Sequence, residues 1–267
     1  MIQIKDYPVF VNYSNPRDEE RLEYEFARQG AADMVTWLST VGRRVMEARP
    51  GGITQQSIKW ERFIADQLDI VYSTRIGKSV LEGLDAEVPV FIVPFHPDER
   101  RMCGCGGSGT MGVFAPKQGG GIRIFFNQGD PEMKGYYGAD DVLFHELIHA
   151  YRIGNCREKS TPLEGYDSAE EFLAIHLQNV YLDCSGKRHY YFSHWEPTKR
   201  SKGDIYYEFV DRGEPLLALK YFLDNEPLSS AVSKWPYPHP DFNPWRDYPQ
   251  LLGLYERNHV GSTMTSL

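Results

Sequence analysis

Five consecutive residues, His145, Glu146, Leu147, Ile148 and His149, carry the densest chemical signal in the chain. On a helix, positions i and i+4 share one face, so both imidazoles reach a single metal ion. Glu146 is rotated enough to act on a water at that ion instead. The spelling is HExxH: two nitrogen ligands and one carboxylate base, the parts needed for metal-assisted hydrolysis. Two histidines buried this way without a metal would each need a hydrogen-bond partner.

The motif needs a helix beneath it, and the flanking residues supply one. Asp140 and Asp141 follow a Gly-Tyr-Tyr-Gly turn and suit a helix start. Val142, Leu143, Phe144, Leu147, Ile148 and Ala150 predict a mostly buried helix that ends near Gly154. A catalytic zinc site keeps three protein ligands and one open position, so one ligand is still to be found. No histidine follows at the HExxHxxGxxH spacing, where Arg152 and Asn155 to Arg157 stand. A carboxylate from another helix is therefore expected. Residues 168 to 181 read as that helix, with Asp167 or Ser168 as its cap and Phe172, Ile175 and Asn179 on one stripe. Glu170 and Glu171 both begin it, and spacing alone does not choose between them.

HELIHA followed by an EEF-type helix resembles the gluzincins, the HExxH metallopeptidases whose third zinc ligand is a Glu on the next helix. The local wording is similar to clostridial neurotoxin light chains, where the second Glu of the pair is the ligand, which maps onto Glu171. Upstream, Ser73 to Leu84 with its Thr-x-x-Gly-Lys piece, the strand-like Val90 to Val93, a Gly-rich loop and Ile122 to Asn127 resemble the layout of NleD-like effector proteases. These are compact gluzincins injected by bacteria or carried as toxin domains. The likeness runs over roughly residues 70 to 185, and only HELIH with the Glu helix is specific; the Thr-x-x-Gly-Lys piece fits any strand, turn and helix joined at a glycine. The resemblance implies an α+β, zincin-like fold: a small mixed sheet, an active-site helix and a following Glu-bearing helix. It also implies that the strand over Ile122 to Asn127 borders a cleft and pairs with an extended substrate; an interior strand is the plainer reading. Thermolysin-like members carry an Asp four residues past the ligand Glu. Here Ile175 stands there, so any support for a ligating histidine comes from elsewhere.

On this reading one Zn²⁺ per chain is held by His145, His149 and Glu171, and Glu146 is the general base. An oxyanion would need a further donor, and Arg188, His189 and Tyr190 are the candidates after the Glu helix, beside Tyr181, Tyr191 and His194. The competing use of such a Tyr-rich segment is packing. The expected partners are a protein or peptide substrate and, for a toxin, a cognate immunity or chaperone protein. Three functions fit: an endopeptidase acting as a toxin or effector on specific intracellular proteins, a housekeeping or self-processing peptidase, and an inactive zinc-containing binding module. Glu146 speaks against the last, since a structural zinc site fills all four positions and has no use for a base.

The whole chain must position these residues. Its 267 residues suit one domain with a sizeable core, with room for an N-terminal lobe over 1–135, a C-terminal lobe over 136–267 and the active site between them. A net charge of −8 argues against a nucleic-acid or anionic-membrane binder. No segment reads as membrane-inserting. Residues 1 to 7 lack a basic stretch followed by an apolar run, so no cleaved signal is expected; the anticipated course is synthesis in a bacterial cytoplasm and export by a specialised secretion system into a target cell.

Helices are expected over 15 to 48, with Met34, Val35, Leu38 and Val41 on one face, and over 55 to 72, around Trp60, Phe63, Ile64, Leu68 and Ile70. Met102 to Gly121 is Gly-rich and reads as a loop, either shaping substrate access or simply mobile. Within it, Cys103 and Cys105 are too close for an ordinary disulfide. A thiolate there could fill the open zinc position; reduced, non-ligating thiols are the plainer reading, as for Cys156 and Cys184. The C-terminal third interleaves Trp195, Trp235, Tyr237, Phe242, Trp245 and Tyr248 with Pro197, Pro236, Pro238, Pro240, Pro244 and Pro249. That composition predicts an irregular segment wrapped on the body by aromatic contacts, and residues 262 to 267 a frayed tail.

Overall fold

The computed structural model describes residues 2–3, 7–11, 55–94, 112–114, 121–126, 138–188, 190–193 and 200–259. The helix expected over 15 to 48, Cys103, Cys105, His189, His194, Trp195 and the C-terminal tail lie outside them. The chain divides into two compact units, one of Met1–Ser73 with Val80–Arg157, the other of Thr74–Ser79 with Glu158–Leu267. The fold is mixed α and β, with eight helices among the described residues.

The first unit is built on a five-stranded mixed sheet. Its strands are β1 (Ile2–Gln3), β2 (Val9–Val11), β3 (Val90–Pro94), β4 (Gly112–Phe114) and β5 (Ile122–Phe126), in the spatial order β1-β2-β3-β5-β4. The three middle strands are parallel, with Phe10 opposite Phe91 and Ile92 opposite Ile124, and the outer two run antiparallel to their neighbours. Parallel strands covered on both faces read as continuous apolar runs rather than alternating ones, and every residue of β3 is buried. Gly121 lets β5 start close against β3, since a Cβ there would stand 2.4 Å from the Pro89 carbonyl oxygen.

Ile122–Phe126 is paired on both sides, by β3 and β4, and is an interior strand with no edge to offer a peptide. The plainer of the two expectations for it holds. Part of the Gly-rich stretch also has regular structure, because Gly112–Phe114 forms β4 against Arg123 to Phe125.

Helix α1 (Gln55–Ser73) matches the expected span, and buries Trp60, Ile64, Leu68 and Val71. Helix α2 (Arg75–Glu82) follows it directly, so no strand precedes Gly77. Thr74 caps this helix through its hydroxyl, which accepts from the Gly77 N–H at 3.0 Å, and Ile76, Val80 and Leu81 bury its apolar side. Helix α3 (Ala139–Gly154) packs on α1, β4 and β5. No described helix is long and apolar enough to cross a membrane.

The second unit is helical: α4 (Ala169–Cys184), α5 (Lys202–Arg212), α6 (Glu214–Asn225), α7 (Pro227–Ser233) and α8 (Pro244–Asn258). The C-terminal third is therefore not the irregular wrap its composition suggests. Pro215, Pro227 and Pro244 fall in first turns, where a missing N–H costs nothing, and between α5 and the end of α8 the long irregular stretch is residues 235–243. Aromatic packing does anchor that stretch: Phe242 stacks on Tyr190 with ring centroids 4.7 Å apart, and Arg246 lies over the Tyr237 ring at 3.5 Å.

Candidate metal centre

Helix α3 places the motif. The Gly138 N–H donates to the Asp141 carboxylate at 3.0 Å, which ties off the helix start. Leu143, Phe144, Leu147, Ile148 and Ala150 are fully buried, so the apolar side of the helix fixes its rotation. At the other end the Asn155 side-chain amide donates to the carbonyls of Tyr151, at 2.8 Å, and Gly83, at 3.0 Å.

That rotation brings the two imidazoles together. The Nε2 atoms of His145 and His149 are 3.0 Å apart, with ring centroids at 4.8 Å and planes at 73°. Two nitrogens about 2.0–2.1 Å from one tetrahedral ion would stand roughly 3.3 Å apart, so the pair is close to the spacing a shared metal requires. A neutral His–His hydrogen bond also fits 3.0 Å, so the pair alone does not decide. Glu146, between them in sequence, is buried at 8% exposure.

A third donor completes the cluster. His145, His149 and Glu171 each offer one ligand atom, and these atoms all lie within 4.8 Å of one another. Two imidazole nitrogens and one carboxylate oxygen suit a divalent metal, and the donor set does not by itself single out zinc. Of the two glutamates that begin α4, Glu171 is the one in this cluster. Glu171 joins the histidines, whereas Glu170 turns elsewhere, its Oε2 accepting from the Lys159 N–H at 3.0 Å. Ser168, one of the two expected caps, accepts from the Glu171 N–H at 3.2 Å.

The expected oxyanion donors are placed as follows. Arg188 is exposed, and His189 lies outside the described residues. Tyr190 is buried at 4% exposure and its hydroxyl donates to Asp183 at 2.5 Å; burial and that hydrogen bond push the phenol's pKa up. Tyr181 is fully buried.

Two structural roles on α4 went unread in the sequence. Asn179, taken there as part of an apolar stripe, brackets one residue: its Oδ1 accepts from the Tyr191 N–H at 2.7 Å, and its Nδ2 donates to the Tyr191 carbonyl at 2.8 Å. A buried Asn must find such partners, which was the available signal. Asp183 joins Tyr190 to the irregular stretch by also accepting from the Asp241 N–H at 2.5 Å. Neither a family model, nor a curated protein, nor a solved structure matches the chain.

Proposed function

We propose that the chain is a zinc-dependent endopeptidase with a zincin-like fold, a bacterial effector or toxin that cleaves specific intracellular proteins. The observation that carries this reading is the convergence of His145, His149 and Glu171 within 4.8 Å, with a buried carboxylate, Glu146, next to the first ligand. His145, His149 and Glu171 would hold the metal. Zinc bound by them would supply Lewis acidity, lowering the pKa of a water towards neutrality and polarising a carbonyl. Glu146 accepts the proton of the attacking water at a carboxylate oxygen and passes it to the leaving amide nitrogen. The donor for the developing oxyanion comes from the Arg188 to Tyr190 stretch, where Tyr190 can serve only by giving up Asp183.

The test compares wild type with Glu146→Gln in a lysate of target cells, reading new protein termini by mass spectrometry. Wild type should generate a small set of new termini and the variant about 10²–10⁴-fold fewer at equal zinc content. Identical termini from both proteins, or none from a zinc-loaded wild type, would sink the proposal. Ready digestion of casein would redirect it to a broad-specificity peptidase.

A further inference from the structure

Glu170 and Glu171 are adjacent in the first turn of α4, and the structure gives them different tasks. Ser168 is the cap, so Glu171 stands three residues on, at the place where the S-x-x-E pattern builds a capping box. In that box the Glu carboxylate would reach back to the cap residue's own N–H. Here the Ser168 N–H is already donated to the Tyr166 carbonyl at 2.5 Å. The bond spans a three-residue turn centred on Asp167, whose φ of 60° puts it in the left-handed region. A local turn thus takes the amide that would draw Glu171 back along the helix.

Glu170 is held from the other side. The residue is buried at 6% exposure, and its carboxylate accepts from the Lys159 N–H at 3.0 Å, eleven residues back along the chain. The same connector is tied again where the Ala169 N–H donates to the Thr161 carbonyl at 2.8 Å. It is pinned once more by Arg212, which donates to the Glu164 carbonyl at 2.9 Å beneath Gly165, where φ is 84° and a Cβ would meet the guanidinium at 2.7 Å. Successive residues on a helix are about 100° apart, so anchoring Glu170 sets where Glu171 points.

We infer that Glu170 is the positioning residue of the metal centre: its bond to the Lys159 amide fixes the rotation of the first turn of α4 and so presents Glu171 to the ion. This inference rests on the metal-site reading above. Glu170 touches neither metal nor substrate; it acts through Glu171. The bond needs only an acceptor oxygen on the side chain, which a glutamine retains and an alanine does not.

The experiment measures zinc affinity by competition with a chromophoric chelator for wild type, Glu170→Ala, Glu170→Gln and Glu171→Ala, with metal-free melting curves for each. Wild type should bind about one zinc, Glu171→Ala should lose it, and Glu170→Ala should bind about 10–100-fold more weakly, the usual effect of removing a support behind a ligand. Glu170→Gln should bind close to wild type, and this rescue separates positioning from a need for charge. The assignment is overturned if Glu170→Ala binds like wild type, including the case where only its melting temperature falls. It is equally overturned if Glu170→Gln is as impaired as Glu170→Ala, or if Glu171→Ala keeps its zinc while Glu170→Ala loses it. A wild-type protein that binds no zinc overturns the metal centre itself, a result distinct from all of these.

Discussion

His145 and His149 on α3 and His176 on α4 are the same residue type on helices of similar apolar character, yet their surroundings differ. His176 is fully buried among the rings of Phe172, Phe209, Tyr166 and Phe242, at centroid distances of 4.5, 4.9, 5.4 and 6.1 Å. Its polar contacts are long, 3.3 Å to the Tyr166 hydroxyl and 3.4 Å to Asn179, and burial lowers its pKa to about 3. It is a neutral core residue. The α3 pair has its Nε2 atoms 3.0 Å apart and a carboxylate oxygen within 4.8 Å. Burial does not separate the two cases, since His145 is itself only 4% exposed. The nature of the nearest neighbour does: nitrogen and carboxylate donors in one case, aromatic faces in the other.

The largest effect that sharpens this contrast is loss of metal. His149→Ala should weaken zinc binding by at least about 10³-fold, because two remaining ligands make a poor site, while His176→Ala should leave zinc content unchanged. Equilibrium dialysis with elemental analysis reads both, and loss of zinc in His176→Ala would break the comparison. His176→Ala should act on stability instead. Emptying a ring-sized core position costs about 3–5 kcal/mol, seen as a lower urea midpoint, whereas His149→Ala in the metal-free protein should shift it far less.

A third test uses pH. His176 takes up a proton near 6.5 when unfolded and only near 3 when folded. Between those values the unfolded state binds the extra proton, so its contribution to stability is intact above about pH 6.5 and is lost as pH falls towards 3, by about 1.4 kcal/mol per unit. His176→Leu should flatten that part of the stability curve, measured by urea unfolding at pH 7 and pH 5; equal slopes in the two proteins would remove His176 from the account. The smallest effect belongs to the helix cap beside the centre. Ser168→Ala should cost about 1 kcal/mol in unfolding free energy, since the Glu171 N–H loses its acceptor.

The parts legible in the sequence were those governed by local periodicity and capping. The spans of α1, α3 and α4 followed from residues within one or two turns of each other, as did the narrowing of the α4 cap to Asp167 or Ser168. What was not legible depended on distant partners. Glu170 and Glu171 have the same chemistry, and what separates them is a backbone N–H at Lys159, which spacing along a helix does not report. Ile122–Phe126 looks the same whether at an edge or inside a sheet, and only the pairing of β4 places it inside. In the C-terminal third, Pro244, which starts a helix, and Pro249, which lies inside it, were read with Pro236, Pro238 and Pro240 as marks of an irregular segment. The position of the first two relative to Leu251, which is buried, was the clue that composition hid.

The central claim is that three side chains, and not the other histidines, form one metal centre. The most direct measurement is the zinc content of purified wild type, His145→Ala, His149→Ala, Glu171→Ala and His176→Leu after exchange into zinc-limited buffer. About one zinc in wild type and in His176→Leu, with almost none in the other three, is the result expected. Wild type without zinc, or full occupancy in any of His145→Ala, His149→Ala or Glu171→Ala, would contradict it.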